Sequence, residues 1–460
     1  MQSAIVSKPH KREIDMLGGS LFKNIIKYTI PIILTGILQL LFNAADLVVV
    51  GQFCGKNSVA AVGNTGSITA LVVNLFIGLS VGSGVTVAQA IGADDKDAVH
   101  QAIHTAIPTA VVSSIFITVI GITFSETFLK LMNTPQTIIE LSAVYMRIYF
   151  AGTIFMLLYN FCASILRAAG DTKSPLIFLI IAGVINVILN VIFVTVFDMN
   201  VAGVALATTI SQGVSAVLVL FKLMRRRDAC RLDFSKLRFY KQPLIKILKI
   251  GLPAGIQSSM FSISNVIIQS SINSFGDVLM SGNAAANNIE GFIFVTLNAF
   301  HQTALNFIGQ NVGAKQYKRT KRILVLCLAS VFAIGILGAA ILYFAGPKLL
   351  SIYIPDSAEA VAWGMVRLSC LCLPYCLCGM MDVTTGALRG MGTSTVPMLI
   401  SILGVCGIRI GWIYTVFQIP AYHTPQCLYY SYGISWAVTF LVELLAFYIV
   451  YKRHTNDKET

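Results

Sequence analysis

The sequence predicts an all-α membrane protein, with twelve transmembrane helices arranged as two six-helix repeats. Hydrophobic residues make up 56% of the 460 residues and charged residues only 12%, at a mean hydropathy of +0.77. A soluble domain carries about 25% charged residues, so this chain is too apolar to be one. Apolar runs long enough to cross a bilayer recur along the chain, and motifs of its first half return in the second.

Twelve apolar segments follow one another, each of roughly 20 residues or more. They cover 24–50, 57–84, 98–122, 137–165, 174–197, 201–223, 246–274, 281–309, 321–345, 358–386, 396–418 and 428–451. The connections between them are short except for one basic stretch near the middle. We therefore predict an N-terminal lobe at 1–223, a cytoplasmic hinge loop at 224–245 and a C-terminal lobe at 246–460.

The distribution of basic residues predicts the orientation in the membrane. With the N-terminus inside, six of the 33 Lys and Arg lie at outer ends or within spans, and the other 27 lie on inner segments. The six are Lys56, Lys130 and Lys348 at outer ends and Arg147, Arg367 and Arg409 within spans. Positive residues accumulate on the cytoplasmic side, so we expect both termini there, in a multi-pass protein of the cell membrane.

The same distribution explains the net charge of +13 without nucleic acid as a partner, because the basic residues flank membrane spans. Residues 1–20 are polar and basic and lack the apolar core of a cleavable signal peptide. We therefore expect the first residues to remain on the cytoplasmic side.

The two halves repeat at a nearly constant offset. Leu166-Arg-Ala-Ala-Gly-Asp-Thr-Lys-Ser-Pro175 returns in the second half as Leu388-Arg-Gly-Met-Gly-Thr-Ser-Thr-Val-Pro397. Further pairs at closely similar offsets are Pro31 with Pro253, Asn43 with Asn265, Asn160 with Asp382, and Arg147 with Arg367. Because each half has an even number of spans, the halves should be related by a pseudo-two-fold axis along the membrane normal. This layout is typical of secondary transporters.

The first span carries a polar stripe that ends in an acid. Thr35, Gln39, Asn43 and Asp46 lie within about 80° of one another around a helix at ~100° per residue. A carboxyl group facing lipid costs several kcal/mol, so the stripe should face protein or a water-filled cavity. The alternative is a solvated acid, since Asp46 lies near the outer end of the span. Pro31 removes one backbone hydrogen bond from this helix and permits a bend, although its repeat partner Pro253 favours a general role at the helix start.

The second half offers rival acids. Asn287, Glu290, Asn298 and His301 share one face of the eighth span, and Asp382 lies near the inner end of the tenth. Glu290 is either a site residue or a hydrogen-bonded structural acid, and Asp382 either a site residue or a partner of Arg389. We interpret Glu443 as structural or interfacial, and His301 as a helix–helix contact or a group that titrates near neutrality. The repeat pairs Asp46 with Ile268 and Glu290 with Ile68, so the fold itself requires neither acid.

Several classes of protein are excluded or disfavoured. No Gly-x-x-x-x-Gly-Lys loop is present, so ATP is not the energy source within this chain, and no nucleophile and base at a plausible spacing indicate an enzyme. The cysteines at 370, 372, 376 and 378 are not spaced on a helix as metal ligands, because positions two apart do not face each other. We expect no cofactor and no bound metal.

The chain resembles the multidrug and toxic compound extrusion (MATE) transporters over residues 15 to 452. The residues that carry the resemblance are Pro31 with Asp46-Leu-Val-Val-Val-Gly51, Ala88-Gln-Ala-Ile-Gly-Ala93, Leu166-Arg-Ala-Ala-Gly-Asp-Thr, Val201-Ala-Gly-Val-Ala-Leu-Ala-Thr208, Gly309-Gln-Asn-Val-Gly-Ala314 and Leu388-Arg-Gly-Met-Gly. The resemblance implies a two-lobed fold and cation-coupled export of amphipathic, often cationic compounds. Asp46 matches the first-helix acid of the DinF-like branch. The second acid of that branch is replaced here by an amide, in Asn186-Val-Ile-Leu-Asn190.

We therefore expect a monomeric proton antiporter in which Asp46 is the coupling residue among amides and Pro31 is a hinge. Desolvation favours the neutral form of a carboxylic acid and a wet cavity favours the ionised form, so alternating exposure loads and releases a proton. A sodium-coupled exporter using Glu290 and Asp382, or a flippase for lipid-linked precursors, are the alternatives. The expected substrate-binding residues are Gln39, Asn43, Asn160, Asn186, Asn190, Thr208, Asn298 and His301.

Overall fold

The computed structural model describes residues 13–132 and 134–456, which form helices joined by short turns. The helices are α1 (Leu21–Phe53), α2 (Lys56–Gly92), α3 (Lys96–Leu131), α4 (Gln136–Ala151), α5 (Thr153–Ala168), α6 (Lys173–Thr195), α7 (Asn200–Met224), α8 (Lys241–Asn273), α9 (Asp277–Gly313), α10 (Tyr317–Tyr353), α11 (Ala358–Leu371), α12 (Tyr375–Gly390), α13 (Thr395–Ser401), α14 (Ile408–Tyr414) and α15 (Pro425–Asn456). A π-helical turn, Ile402–Gly407, joins α13 to α14. Residues 1–12, on which part of the signal-peptide prediction rests, lie outside the described residues.

These helices account for the twelve predicted spans. Eight are long and apolar enough to cross a membrane, with α13, the π-helical turn and α14 counted as one, and two bent pairs bring the number to ten. The remaining two spans are α8 and α9, with 33 and 37 residues. Both exceed the ~20 residues that a bilayer requires, although they carry more polar side chains than the others.

Two spans are broken where the sequence predicts continuous helices. The fourth span bends by 44° between α4 and α5, and the tenth bends by 51° between α11 and α12. The first break falls at Gly152 and the second just before Pro374, whose ring cannot continue the hydrogen-bond ladder of the preceding turn. An apolar run shows only that a segment enters the membrane, so neither bend was predicted.

The turns of the two halves repeat as closely as the motifs do. Gly55 and Gly276 both have positive φ, at 84° and 95°, and so do Gly170 and Gly392, at 91° and 87°. Within each pair the separation along the chain agrees with the offset that the sequence motifs predict. Glycine adopts this left-handed conformation without the steric cost of a Cβ. The repeat is therefore present in the backbone as well as in the sequence.

The described chain divides into two compact units. Residues Ile30–Ser259 belong to the first, together with the N-terminal segment up to Gly19, and Met260–Thr460 belong to the second, together with Ser20–Thr29. The boundaries therefore fall inside α1 and α8 rather than in a loop. Within the first unit, α2 and the first part of α8 pack backbone to backbone, since a Cβ on Gly78 would lie 2.2 Å from the nitrogen of Gly255.

The connection between α7 and α8, residues 225–240, is held to the first unit by polar contacts. Arg226 pairs with Asp228 and, at 2.5 Å, with Glu13 of the N-terminal segment. Burial alone would raise the pKa of Asp228, but the hydrogen bonds and charge of Arg226 hold it below its ordinary value. The backbone N–H of Asp233 donates to His104 Nε2 at 3.1 Å, which ties the same loop to α3. The predicted hinge loop is thus shorter than 224–245 and is docked on its own unit.

Candidate functional site

A closed ring of four hydrogen-bonded side chains contains Asp46. Asn190 donates from Nδ2 to Asp46 Oδ1 at 2.5 Å and to Asn186 Oδ1 at 3.3 Å. Asn186 Nδ2 donates to Thr208 Oγ1 at 3.3 Å, and that hydroxyl donates to Asp46 Oδ2 at 3.4 Å. The ring lies within the first unit and joins three helices, since Asp46 is on α1, both asparagines are on α6 and Thr208 is on α7.

Helical spacing explains how the ring forms. Asn186 and Asn190 are four residues apart on α6 and therefore lie on one face, one turn above the other. Both are buried, whereas Asp46 is half-buried. Burial of amides is costly unless they are hydrogen-bonded, and here each amide bonds to another member of the ring. The ring therefore gives a partner to the Nδ2 group of each asparagine and to Asn186 Oδ1.

The ring contains no basic side chain. Among the residues that the structure describes, no Lys, Arg or His nitrogen lies within 4.0 Å of the Asp46 carboxyl group, and its partners are one amide and one hydroxyl. An ionised carboxylate only accepts hydrogen bonds, and a protonated one also donates. Asn190 Oδ1 is buried and has no partner among the described residues, so rotation of this amide about its terminal bond would present an acceptor to a protonated Asp46. The arrangement can hold the acid in either form.

Three predicted site residues of the first unit lie outside the ring. Gln39 and Asn43 are exposed on α1, and no hydrogen bond of the described residues joins them to Asp46. Asn160 is half-buried and donates to the carbonyl of Met156 in its own helix at 2.8 Å. The structure thus brings Asn186, Asn190 and Thr208 to Asp46, and leaves Gln39, Asn43 and Asn160 apart from it.

Pro31 lies inside α1, well after its first residue Leu21, so the prediction of a role at the helix start was wrong. Pro253 likewise lies well inside α8. Pro31 is buried, and its carbonyl accepts a hydrogen bond from Thr35 Oγ1 at 2.7 Å. The boundary between the two units falls just before Pro31, after Thr29. The hinge role of Pro31 stays a prediction.

Glu290, the acid of the α9 stripe, is held in a buried ion pair. Arg367 donates to it from Nε at 3.0 Å and from Nη2 at 2.7 Å, and Tyr375 donates from its hydroxyl at 2.9 Å. The remaining Arg367 nitrogen, Nη1, donates to Asn283 Oδ1 at 2.8 Å. The charges of Glu290 and Arg367 therefore compensate each other, which supports the structural interpretation of this acid.

A second cluster of polar side chains in the second unit lies around α12. His301 Nδ1 hydrogen-bonds the backbone carbonyl of Asp382 at 2.7 Å, so the imidazole makes a helix–helix contact. Glu443 is completely buried and accepts from Thr385 at 2.9 Å and from Ser401 at 2.7 Å. It is therefore not an interfacial acid. Asn298 is half-buried on α9.

Sequence reasoning missed the partners of Glu290. Asn283 lies two helical turns before Glu290 on the same stripe of α9, so the spacing that selected Asn287 could also have selected it. Arg367 and Tyr375 are 77 and 85 residues away along the chain, and no local pattern connects them to Glu290. Only the packing of α11 and α12 on α9 reveals that contact.

The twelve-span fold with two repeats, and a polar ring inside one of them, is the architecture of a membrane transporter. The family model of MatE matches residues 31–192 and again residues 253–415. The two matches begin at Pro31 and Pro253, which are partners in the repeat. The chain belongs to the MatE family, the multidrug and toxic compound extrusion transporters.

Relatives and solved structures of this family cover nearly the whole chain. The chain is 28% identical to "Probable multidrug resistance protein YpnP" of Bacillus subtilis over 86% of its length and 88% of the relative. It is 21% identical to "Multidrug export protein MepA" of Staphylococcus saprophyticus over 96% of both chains. A crystal structure of MATE in the bent conformation shares the fold with a TM-score of 0.89, at 20% identity, covering 98% of this chain and 100% of the other.

Proposed function

We propose that this protein exports amphipathic, often cationic compounds in exchange for protons, and that Asp46 is the residue that carries the proton. The multidrug export and resistance proteins among its relatives support the class of substrate. The observation that carries the proposal is the Asp46 ring, defined as Asp46, Asn186, Asn190 and Thr208. It is the place in the first unit where an acid inside a membrane helix is joined to neutral partners.

The protonation state of an acid without a basic partner depends on whether water or a cation reaches it. An intramembrane acid that lacks a compensating charge is favoured in its neutral form when water is excluded, and in its ionised form when water or a cation arrives. A cationic substrate and a proton therefore compete for the same carboxylate. Exchange of one for the other across the membrane is antiport by mutual exclusion.

The charge of the ring supports a proton over sodium as the coupling ion. Asp46 is its one carboxylate, and the other members are two amides and a hydroxyl. Hard cations bind more tightly as the number of charged oxygen ligands rises, whereas one carboxylate is enough to carry a proton. Glu290 of the second unit offers less for sodium coupling, since it is already paired with Arg367.

We propose that α1 changes shape during alternating access and that it bends at Pro31. Pro31 removes one hydrogen bond from the ladder, and the boundary between the two units falls beside it. Solved members of the fold have been described as MATE in the bent conformation and in the straight conformation. The bent and straight conformations were described for those other proteins, and we propose the bend for this chain.

The test is ethidium accumulation in a host that lacks its own pumps. Cells expressing the wild type should exclude ethidium, and a proton uncoupler should abolish that exclusion, whereas replacement of sodium by choline should not. Asp46→Asn should behave as the uncoupled wild type. Exclusion that depends on sodium and survives the uncoupler would contradict proton coupling, and no exclusion at all would favour a flippase.

A further inference from the structure

Arg409 is a buried cation in the middle of a membrane span. It lies past the midpoint of the 24-residue span Thr395–Gln418 and is 4% exposed. It comes just after the π-helical turn Ile402–Gly407, and such turns occur often at functional sites. A charged side chain at this depth is costly and marks a functional site by default.

The guanidinium of Arg409 is held in place but not neutralised. Its Nε donates to Ser435 Oγ at 2.9 Å, and its Cζ lies 4.0 Å from the ring centroid of Tyr432 and 5.3 Å from that of Trp436. Within the part of the chain that the structure describes, no carboxylate oxygen lies within 4.0 Å of it. Its Nη2 is buried and has no hydrogen-bond partner among those residues.

Arg367, in the same unit, is a buried arginine whose side-chain nitrogens all have hydrogen-bond partners, and it serves as a comparison for Arg409. Its Cζ lies 6.0 Å from the Tyr432 ring, so Tyr432 lies near both guanidinium groups. All three nitrogens of Arg367 donate to Glu290 or to asparagine side chains. Arg409 has the same aromatic neighbour and lacks the acid. An isolated buried charge is unfavourable by several kcal/mol unless a counter-charge or polar partner reaches it.

We propose that Arg409 binds the carboxylate of an amphipathic aromatic compound that the protein exports. Nη2 supplies an unused donor for a charge-assisted hydrogen bond, and Ser435 holds the guanidinium through Nε so that Nη2 keeps its direction. Tyr432, which is half-buried and has the buried Trp436 packed against it, supplies aromatic surface beside that donor, which suits a ring system that carries the carboxylate. A water molecule would satisfy the hydrogen bond but would not compensate the charge.

The inference extends the proposed function, on which it rests, because it adds acids and zwitterions to the expected cationic substrates. It does not involve the Asp46 ring, whose residues lie in the other unit.

The test uses two dyes that differ in one group. Rhodamine 110 carries a free carboxylate, and rhodamine 123 is its methyl ester with the same ring system. Export of both is measured in the pump-deficient host, and the readout is the ratio of the two rates. Arg409→Gln should lower the ratio of carboxylate to ester dye about tenfold, the value of one hydrogen bond to a charged group. Arg409→Lys, which keeps the charge but not the geometry, should lower it less.

Arg147→Gln is the matched control, because Arg147 is an exposed arginine within a span, and its ratio should equal that of the wild type. An unchanged ratio in Arg409→Gln would overturn the proposal. If wild-type cells export neither dye, the proposed function is contradicted instead. Binding of the carboxylate dye to the purified protein would then still test the role of Arg409.

A measurement on the purified wild type guards against variants that fail to fold. Naphthoate, an aromatic carboxylate without a cationic group, should displace bound rhodamine 110 and leave rhodamine 123 in place. Displacement of both dyes alike, or of neither, would overturn the proposal. So would displacement of rhodamine 110 by phosphatidylglycerol but not by naphthoate, since the ligand of Arg409 would then be a lipid headgroup.

Discussion

Asp46 in the first unit and Glu290 in the second are held by opposite kinds of partner. In the first, Asp46 is bonded to one amide and one hydroxyl, and in the second, Glu290 is bonded to Arg367 and to Tyr375. The positions that the repeat pairs with them, Ile268 and Ile68, are both buried isoleucines, so the fold tolerates an apolar side chain at either place. If Asp46 carries the proton, as we propose, then the partner of a membrane acid, more than its depth, decides whether the acid is free to exchange a proton.

The largest effect that we expect is the loss of energised export in Asp46→Asn. Asparagine keeps the size and accepts hydrogen bonds, so the ring should persist and stability should change by less than about 1.5 kcal/mol, the value of one hydrogen bond. The measurements are ethidium exclusion and SDS-induced unfolding of the purified protein in mixed micelles. Full exclusion by this variant would show that the proton is carried elsewhere.

The second effect is on stability rather than export. Glu290→Gln leaves Arg367 buried without its counter-charge, and breaking a buried pair in this way costs about 3–5 kcal/mol. Unfolding in mixed micelles should show that loss, and Glu290→Gln combined with Arg367→Met should recover part of it because no charge then stays unpaired. If the single variant is as stable as the wild type but no longer exports ethidium, Glu290 is a coupling residue and the comparison fails.

The fold was largely predictable because it depends on patterns that the chain shows locally. Apolar runs predicted the spans, the constant offset between repeated motifs predicted the two halves, and the i, i+4 spacing of Asn186 and Asn190 placed them together. The polar stripe of α1 was a weaker guide. It shows that Gln39, Asn43 and Asp46 share a face, but Gln39 lies about 10 Å from Asp46 along the helix at ~1.5 Å per residue. The hydrogen bonds from α6 and α7 go to Asp46, at the end of the stripe.

The rest of the site depends on contacts between distant segments. Glu290 and Arg367 meet across 77 residues, and the chain offers many other candidate partners for each. The isolation of Arg409 is equally invisible in the sequence, because it is defined by the lack of an acid within reach among the described residues. Packing decides which polar residues of a membrane helix meet, and single-sequence patterns do not contain it.

A smaller effect is expected from changing a neutral partner of Asp46 into an acid. Asn190→Asp replaces the amide N–H that faces Asp46 with an oxygen, so the ring gains a second carboxylate and an oxygen-rich set of ligands for a hard cation. We expect export by this variant to be stimulated by sodium, measured as ethidium exclusion in sodium and in choline media. Asn160→Asp, which adds an acid to the first unit outside the Asp46 ring, serves as the control. Equal exclusion in both media would mean that Asn190 does not select the coupling ion.

The smallest effect that we expect is on stability, and it compares two ion pairs. The repeat pairs the sequence position of Arg147 with that of Arg367. Arg147 also pairs with an acid, Glu126, at 2.6 Å, but both side chains are about half exposed, at 47% and 52%. Exposed pairs contribute at most about 1 kcal/mol, so Glu126→Gln should change stability by no more than that. The same unfolding assay in mixed micelles measures it beside Glu290→Gln. Equal losses of stability in the two variants would show that burial does not make the Glu290–Arg367 pair stronger than the exposed pair. The structural interpretation of Glu290 would then be contradicted.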